Sequence, residues 1–197
     1  MATADDILKS LTIPPVRWEK PVIIAVMGLP GTGKSTVAQH LADLYPMIVL
    51  STDALRLKFG FASGPETLEV MHTVIARLMP RKRAIIIDGV YLDRKSRIEH
   101  TTTLAEQHDA YYRLIHTIAS QTVIDKRLKA RIDNPDATKK AEKFVITPEH
   151  FARIKSYFEP PAPDEPVLTV NTSKDDDALS DQLEPLAERL YAIHPGV

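Results

Sequence analysis

Uninterrupted apolar runs alternate along the chain with stretches in which apolar residues return every third or fourth position. Val22 to Met27 is apolar throughout, rich in β-branched side chains and followed by glycine, the pattern of a central strand covered on both faces. Met47 to Leu50 and Ala84 to Ile87 are further apolar runs, and Tyr111 to Ile118 and Val167 to Val170 read as a fourth and a fifth strand, so five strands are predicted. Helical spacing fills the intervals. Ser35 to Leu44 sets Val37, Ala38, Leu41 and Leu44 on one side, and Leu68, Met71, Val74, Ile75 and Leu78 recur at three and four until Pro80. Lys95 to His108 reads as helix. Ser120 is placed to cap a helix carrying Val123, Ile124, Leu128 and Ile132 that ends before Pro135. Thr147, Pro148 and Glu149 look like the cap and first turn of another helix that reaches Tyr157. Four prolines make Glu159 to Pro166 a stiff connection, and Asp177 to Ile193 is a closing helix. Strands alternating with helices predict a three-layer α/β/α domain on a five-stranded parallel sheet. Residues 1–20, broken by Pro14 and Pro15, form an arm with a short helix around Asp5 to Leu11, which Trp18 packs onto a single domain, 21–197.

Composition narrows the possible chemistry. A length of 197 residues suits one domain. No apolar run approaches the roughly 20 residues that span a bilayer, and the N-terminus lacks a basic-then-apolar leader, so a cytoplasmic protein without a membrane partner is expected. The absence of cysteine removes disulfides, thiolate ligands and a thiol nucleophile. Seven histidines show no H-x-x-x-H spacing, which argues against a histidine metal site. The net charge of −1 conceals a division: Lys126 to Lys143 carries +4 and Glu159 to Glu188 carries −8. Such an acidic face disfavours a nucleic-acid partner.

The sharpest pattern is Gly28-Leu29-Pro30-Gly31-Thr32-Gly33-Lys34-Ser35, a match to G-x-x-x-x-G-K-[ST] between a predicted strand and a predicted helix. Glycines there let backbone N–H groups close around phosphate oxygens, and the helix N-terminus adds partial positive charge. Lys34 reaches the β and γ phosphates and the Ser35 hydroxyl ligates Mg²⁺, so ATP and Mg²⁺ are the expected cofactors, held by Gly28, Pro30, Gly31, Thr32, Gly33, Lys34, Ser35 and Thr36. Asp88, at the end of its strand, stands where an acid orders Mg²⁺, or where an ordinary strand-to-loop aspartate caps the next element. Asp53 follows the second strand at the same sheet edge; it suits a base for an acceptor hydroxyl, or an N-cap for Ala54 to Phe59. Arg127 and Arg131, four apart on one helix face, begin a basic lid at about 126–146 that closes over triphosphate; the plain alternative is a solvated basic helix.

Together Gly28 to Thr36, Ser51-Thr52-Asp53-x-x-Arg56, Ile85 to Leu92 with Arg97 beyond, and the Arg127/Arg131 pair resemble the P-loop kinases related to the polynucleotide 5′-kinase domain. Within that group the chain is similar to the small "AAA family ATPase" or predicted-kinase proteins, whose relatives include chloramphenicol phosphotransferase, gluconate kinases and zeta toxins. The resemblance implies a P-loop NTPase fold with sheet order 2-3-1-4-5. It implies that Asp53 is the base or acceptor-orienting residue and that Arg56 holds the acceptor or its phosphate. It further implies that Arg97, for which Arg94 competes, faces the cleft, and that Arg127 and Arg131 form the lid. Gly89-Val90 stands where polynucleotide kinases carry Thr-Asn, which turns the expectation from a polynucleotide 5′-end kinase toward a kinase of a small-molecule acceptor, monomeric or homodimeric. A nucleotide-gated binding protein is the non-enzyme alternative. Glu165 or Asn171 is placed to meet the adenine, and Phe59, Phe61 and Tyr91 to line a pocket or fill the core.

Overall fold

The computed structural model describes residues 2–62, 65–89, 91–173 and 176–194; Val90, within the motif above, lies outside them. In chain order the elements are α1 (Ala4–Ser10), β1 (Val22–Met27), α2 (Lys34–Leu44), β2 (Ile48–Ser51), α3 (Thr52–Phe59), α4 (Pro65–Leu78), β3 (Ala84–Asp88), α5 (Arg94–Arg97), α6 (Thr103–Gln107), β4 (Tyr111–Ile118), α7 (Gln121–Asp133), α8 (Pro135–Lys140), α9 (Pro148–Ser156), β5 (Val167–Asn171) and α10 (Asp176–Ile193). The five strands form one parallel sheet in the order β2-β3-β1-β4-β5, as the resemblance implies.

Period-two alternation divides the strands between two cores. Ile23, Ala25 and Met27 of β1, with Ile85 and Ile87 of β3, join Met71, Val74, Ile75 and Leu78 of α4 and Ile7 of α1 on one face. Val22, Ile24 and Val26, with Ala84 and Ile86, join Val37, Ala38 and Leu41 of α2 and Leu183, Leu186 and Leu190 of α10 on the other. Trp18 is buried in this second core, its ring against Tyr45 and His194, so the arm is packed down as expected. Among the described residues no helix is long and apolar enough to cross a membrane.

Three local differences from the sequence reading matter. The helix expected over 95–108 runs unbroken from Arg94 to Gln107 but widens into a π turn over Ile98–Thr102 between α5 and α6. The polar stretch after α7 is itself helical: Pro135 takes the first position of α8 and Asn134 caps it through Ala137 N–H. The cap of α3 is Ser51, whose Oγ accepts from Ala54 N–H at 3.4 Å, which leaves Asp53 free of that duty.

Candidate active site

Register brings the chemistry to one edge. Val26 and Ser51 both pair with Asp88, so the loop after β1, Asp53 after β2 and Asp88 at the end of β3 emerge at one level on the carboxyl edge of the sheet. The loop after β1 runs too close to its neighbours for side chains at two points. A Cβ on Gly28 (φ +147°) would come within 2.5 Å of Thr117 Oγ1, and one on Gly33 (φ +89°) within 2.8 Å of Thr172 Oγ1. Gly33 is the N-cap of α2 and offers no side-chain acceptor, so the first amides of that helix stay available to an anion. Thr32 is buried and braces the loop, its Oγ1 bonded to Leu29 O and Thr117 Oγ1, both at 2.8 Å.

A cavity of about 700 Å³ opens over this loop, lined by Pro30, Gly31, Gly33, Lys34, Ser35 and Thr36. Gly28 and Thr32 lie behind that lining and shape it. The far wall is the basic segment. Arg127, Ala130, Arg131 and Asn134, at three- and four-residue spacing, turn one face of α7 and its end to the cavity, while Ile124 and Leu128 bury another against Phe151 of α9. Five cations (Lys34, Arg56, Arg127, Arg131, Lys143) and two carboxylates (Asp53, Asp88) line the space, an excess of three positive charges that suits a polyanion.

Each charged group has a definite setting. Lys34 Nζ donates to Gly28 O at 3.0 Å and Leu29 O at 3.2 Å; burial draws its pKa down, and Asp88 and Asp53 oppose that shift. Ser35 Oγ donates to Asp88 Oδ2 at 2.6 Å. A hydroxyl beside a carboxylate fits Mg²⁺, which takes few protein oxygens and completes its shell with water and phosphate. Among the described residues no group of three or more His, Asp or Glu forms a metal cage. Asp53 faces the cavity with its side chain 42% accessible; desolvation raises its pKa above the usual carboxylate value, the Asp88 charge adds to this, and Lys34 opposes it. Arg56 Nη1 lies 3.7 Å from Asp53 Oδ1, and its guanidinium stacks 4.3 Å from the Phe144 ring centroid.

A second cavity of about 420 Å³ adjoins the first, and Thr52, Asp53, Arg56, Gly89, His150 and Ile154 border both. Most of its surface is apolar, from Leu68, Tyr91, Leu92 and Tyr157, and it also carries Thr67, Asp93, Ser96 and Arg153. Tyr91 borders this pocket and is also a buried member of the core, to which Phe61 belongs and against which Phe59 packs.

Two expected cleft residues are elsewhere or otherwise engaged. Arg97 is 1% exposed and clamped to Glu165 through Nε–Oε1 at 2.7 Å and Nη2–Oε2 at 2.9 Å, with Nη1 donating to Glu159 O; it borders neither cavity. A buried bidentate pair fixes the proline-rich connection to α5, so both Arg97 and the proposed adenine contact Glu165 are committed to structure. Arg94 pairs with Asp164 at 2.5 Å at the surface. Arg127 borders the cavity, yet it donates from Nη1 to Gly31 O and Thr172 Oγ1 and from Nη2 to Thr172 O, which ties α7 to two loops. Asn171 also serves its own loop, accepting from Ser173 N–H at 2.9 Å. Lys143 and Phe144 also line the cavity, and no sequence pattern marks either. Lys143 lay inside the basic run, and nothing in its spacing separated an inward lysine from its solvated neighbours.

The chain has relatives in sequence and in fold. Residues 23–161 match a family profile described as an AAA domain. A protein of Aeropyrum pernix described as a probable adenylyl-sulfate kinase is 29% identical over 189 residues, covering 91% of this chain and 95% of its own length. Among solved structures, Kti12 of Chaetomium thermophilum in complex with ADP-AlF3 superposes with a TM-score of 0.67 at 15% identity, covering 85% of this chain and 98% of that one. A gluconokinase from Sinorhizobium meliloti superposes with a TM-score of 0.57 at 20% identity, covering 87% and 97%. Both structures share the fold.

Proposed function

The chain belongs to the AAA-domain family of P-loop proteins, and from that premise we propose that it is an ATP- and Mg²⁺-dependent kinase that transfers the γ-phosphoryl group to a hydroxyl of a small molecule. The observation that carries this reading is the wall shared by two cavities: Asp53 and Arg56 border both the space over the phosphate loop and the smaller space beside it. A hydrolase has no need of a second, largely apolar pocket opening onto the same carboxylate. The kinase names of the Aeropyrum and Sinorhizobium relatives, one on adenylyl sulfate and one on gluconate, support a small acceptor.

In this reading the loop amides and Lys34 bind the polyphosphate, and Arg131 brings charge to the group in transfer. Ser35 and Asp88 would hold Mg²⁺, which shields phosphate charge when bound. Asp53 takes the proton as the acceptor oxygen forms its bond to the γ phosphorus and the bond to the β–γ bridging oxygen breaks, leaving ADP. A raised pKa makes Asp53 a better proton acceptor than an ordinary aspartate once it is ionised. Arg56, between the two cavities, orients the acceptor.

The test is transfer from γ-labelled ATP to a panel of small alcohols, including sugar acids and nucleotide-like acceptors. Wild-type protein is expected to label one class, and Asp53→Asn to lower kcat by about 10²- to 10⁴-fold with nucleotide affinity nearly unchanged. Full transfer by Asp53→Asn, or ATP loss with no labelled acceptor, would count against the reading.

A further inference from the structure

Lys143 follows α8 and enters the cavity through a helix cap. Its N–H bonds to Thr138 O at 3.1 Å and Glu142 N–H bonds to Lys139 O at 2.9 Å, the paired bonds of a Schellman motif. The left-handed position of that motif, commonly glycine, is Glu142 at φ +53°. A non-glycine residue held there costs free energy, and what the turn accomplishes is to point the following side chain inward. Lys143 Nζ donates to Ser35 Oγ, the hydroxyl that itself donates to Asp88.

Three of the other four cations over the loop are partly committed; Arg131 makes no side-chain hydrogen bond among the described residues and, like Lys143, is open to an anion. Lys34 is spent on loop carbonyls, Arg127 on Gly31 and Thr172, and Arg56 leans toward Asp53. Among the described residues Lys143 has no carboxylate within ion-pair distance, yet it lines a space with three excess positive charges. An ammonium is placed in such a site at a cost that only an anion recovers. Position says which part of the anion. Lys143 sits on Ser35, the hydroxyl bonded to Asp88 and paired with it to hold Mg²⁺, whereas Arg127 is bonded to Gly31 and Thr172.

We infer that Lys143 is a phosphate-binding residue, a lid-borne cation that faces the γ end of a bound triphosphate beside Arg131. The inference rests on the nucleotide-binding half of the reading above and not on the transfer step. Calorimetry at saturating Mg²⁺ with ADP and with a non-hydrolysable ATP analogue tests it on the full chain. Lys143→Met is expected to weaken the analogue at least tenfold while moving ADP less than threefold, and Lys143→Arg to recover most of the loss. Equal weakening of both ligands, or of neither, overturns it, because a lysine that only holds the lid in place cannot tell the two apart. Thermal midpoints establish that the variants fold, and Lys143→Gln replaces the methionine variant if that one does not. A wild-type chain that binds no nucleotide overturns both readings. The expected triphosphate discrimination without transfer to any alcohol overturns the kinase alone.

Discussion

At the scale of single residues, the histidines show how a role can exist without any sequence spacing. His72 of α4 and His100 of the π turn have no motif between them, yet their Nδ1 atoms lie 3.2 Å apart with ring centroids 4.3 Å apart. One ring must donate and the other accept, so a second proton would set N–H against N–H. Burial first, and His100 second, draw the His72 pKa down from 6.5 to about 4. Because the folded value lies below the unfolded one, the unfolded chain binds more protons between the two. Stability is therefore complete above pH 6.5 and is lost as pH falls toward 4, by about 2–3 kcal/mol from this residue. Urea unfolding at pH 7 and pH 4.5 is expected to show that loss in the wild type and a smaller one in His72→Gln. His116, also lowered by burial, leaves part of the slope in place. An equal slope in both proteins would remove His72 from the account.

At the scale of elements, the strands, the phosphate loop and the sheet edge were legible because each is encoded locally: apolar runs of strand length, a glycine-rich turn, and an aspartate just past or at a strand end. Arginine roles were not. Arg97 and Arg127 are the same residue type at plausible positions, and only the tertiary partner decides between cleft and clamp; Glu165, 68 positions away, claims Arg97. Arg127 and Arg131 share a helix face, yet the first bridges Gly31 and Thr172 while the second, among the described residues, makes no side-chain hydrogen bond. This difference predicts opposite phenotypes. Arg127→Met leaves two loop carbonyls without their donor and is expected to cost about 2–4 kcal/mol, lowering the thermal midpoint by roughly 5–10 °C. Arg131→Met is expected to hold its midpoint and to lose about 10²- to 10³-fold in kcat of transfer. Melting curves beside initial rates check the pair, and a stable Arg127→Met with normal affinity would show that the bridge is dispensable.

At the scale of the whole molecule, charge is sorted more finely than the sequence totals suggest. The seven cations behind the lid segment's net +4 divide into Arg127, Arg131 and Lys143 lining the cavity and Lys126, Lys129, Lys139 and Lys140 exposed, with Lys129 already paired to Asp133 at 3.0 Å. The acidic tract is not one solvated face either: Glu165 is spent on Arg97 and Asp164 on Arg94, while Asp181, Glu184 and Glu188 lie exposed on α10. Inward cations confined to a pocket grip a compact polyanion, whereas a polynucleotide needs a basic groove that tracks several phosphates. A single-strand binder that neutralises Z phosphates loses affinity with a logarithmic salt slope of about −0.7Z. Fluorescence anisotropy of a labelled 5′-hydroxyl oligonucleotide between 50 and 200 mM salt is therefore expected to show weak binding with a slope shallower than about −1, and excess oligonucleotide should leave phosphorylation of a small acceptor unchanged. Tight binding with a steep slope, lost on replacing Lys126, Lys139 and Lys140 together by glutamine, would make the outer face of the lid a nucleic-acid track and shift the acceptor to a polynucleotide end.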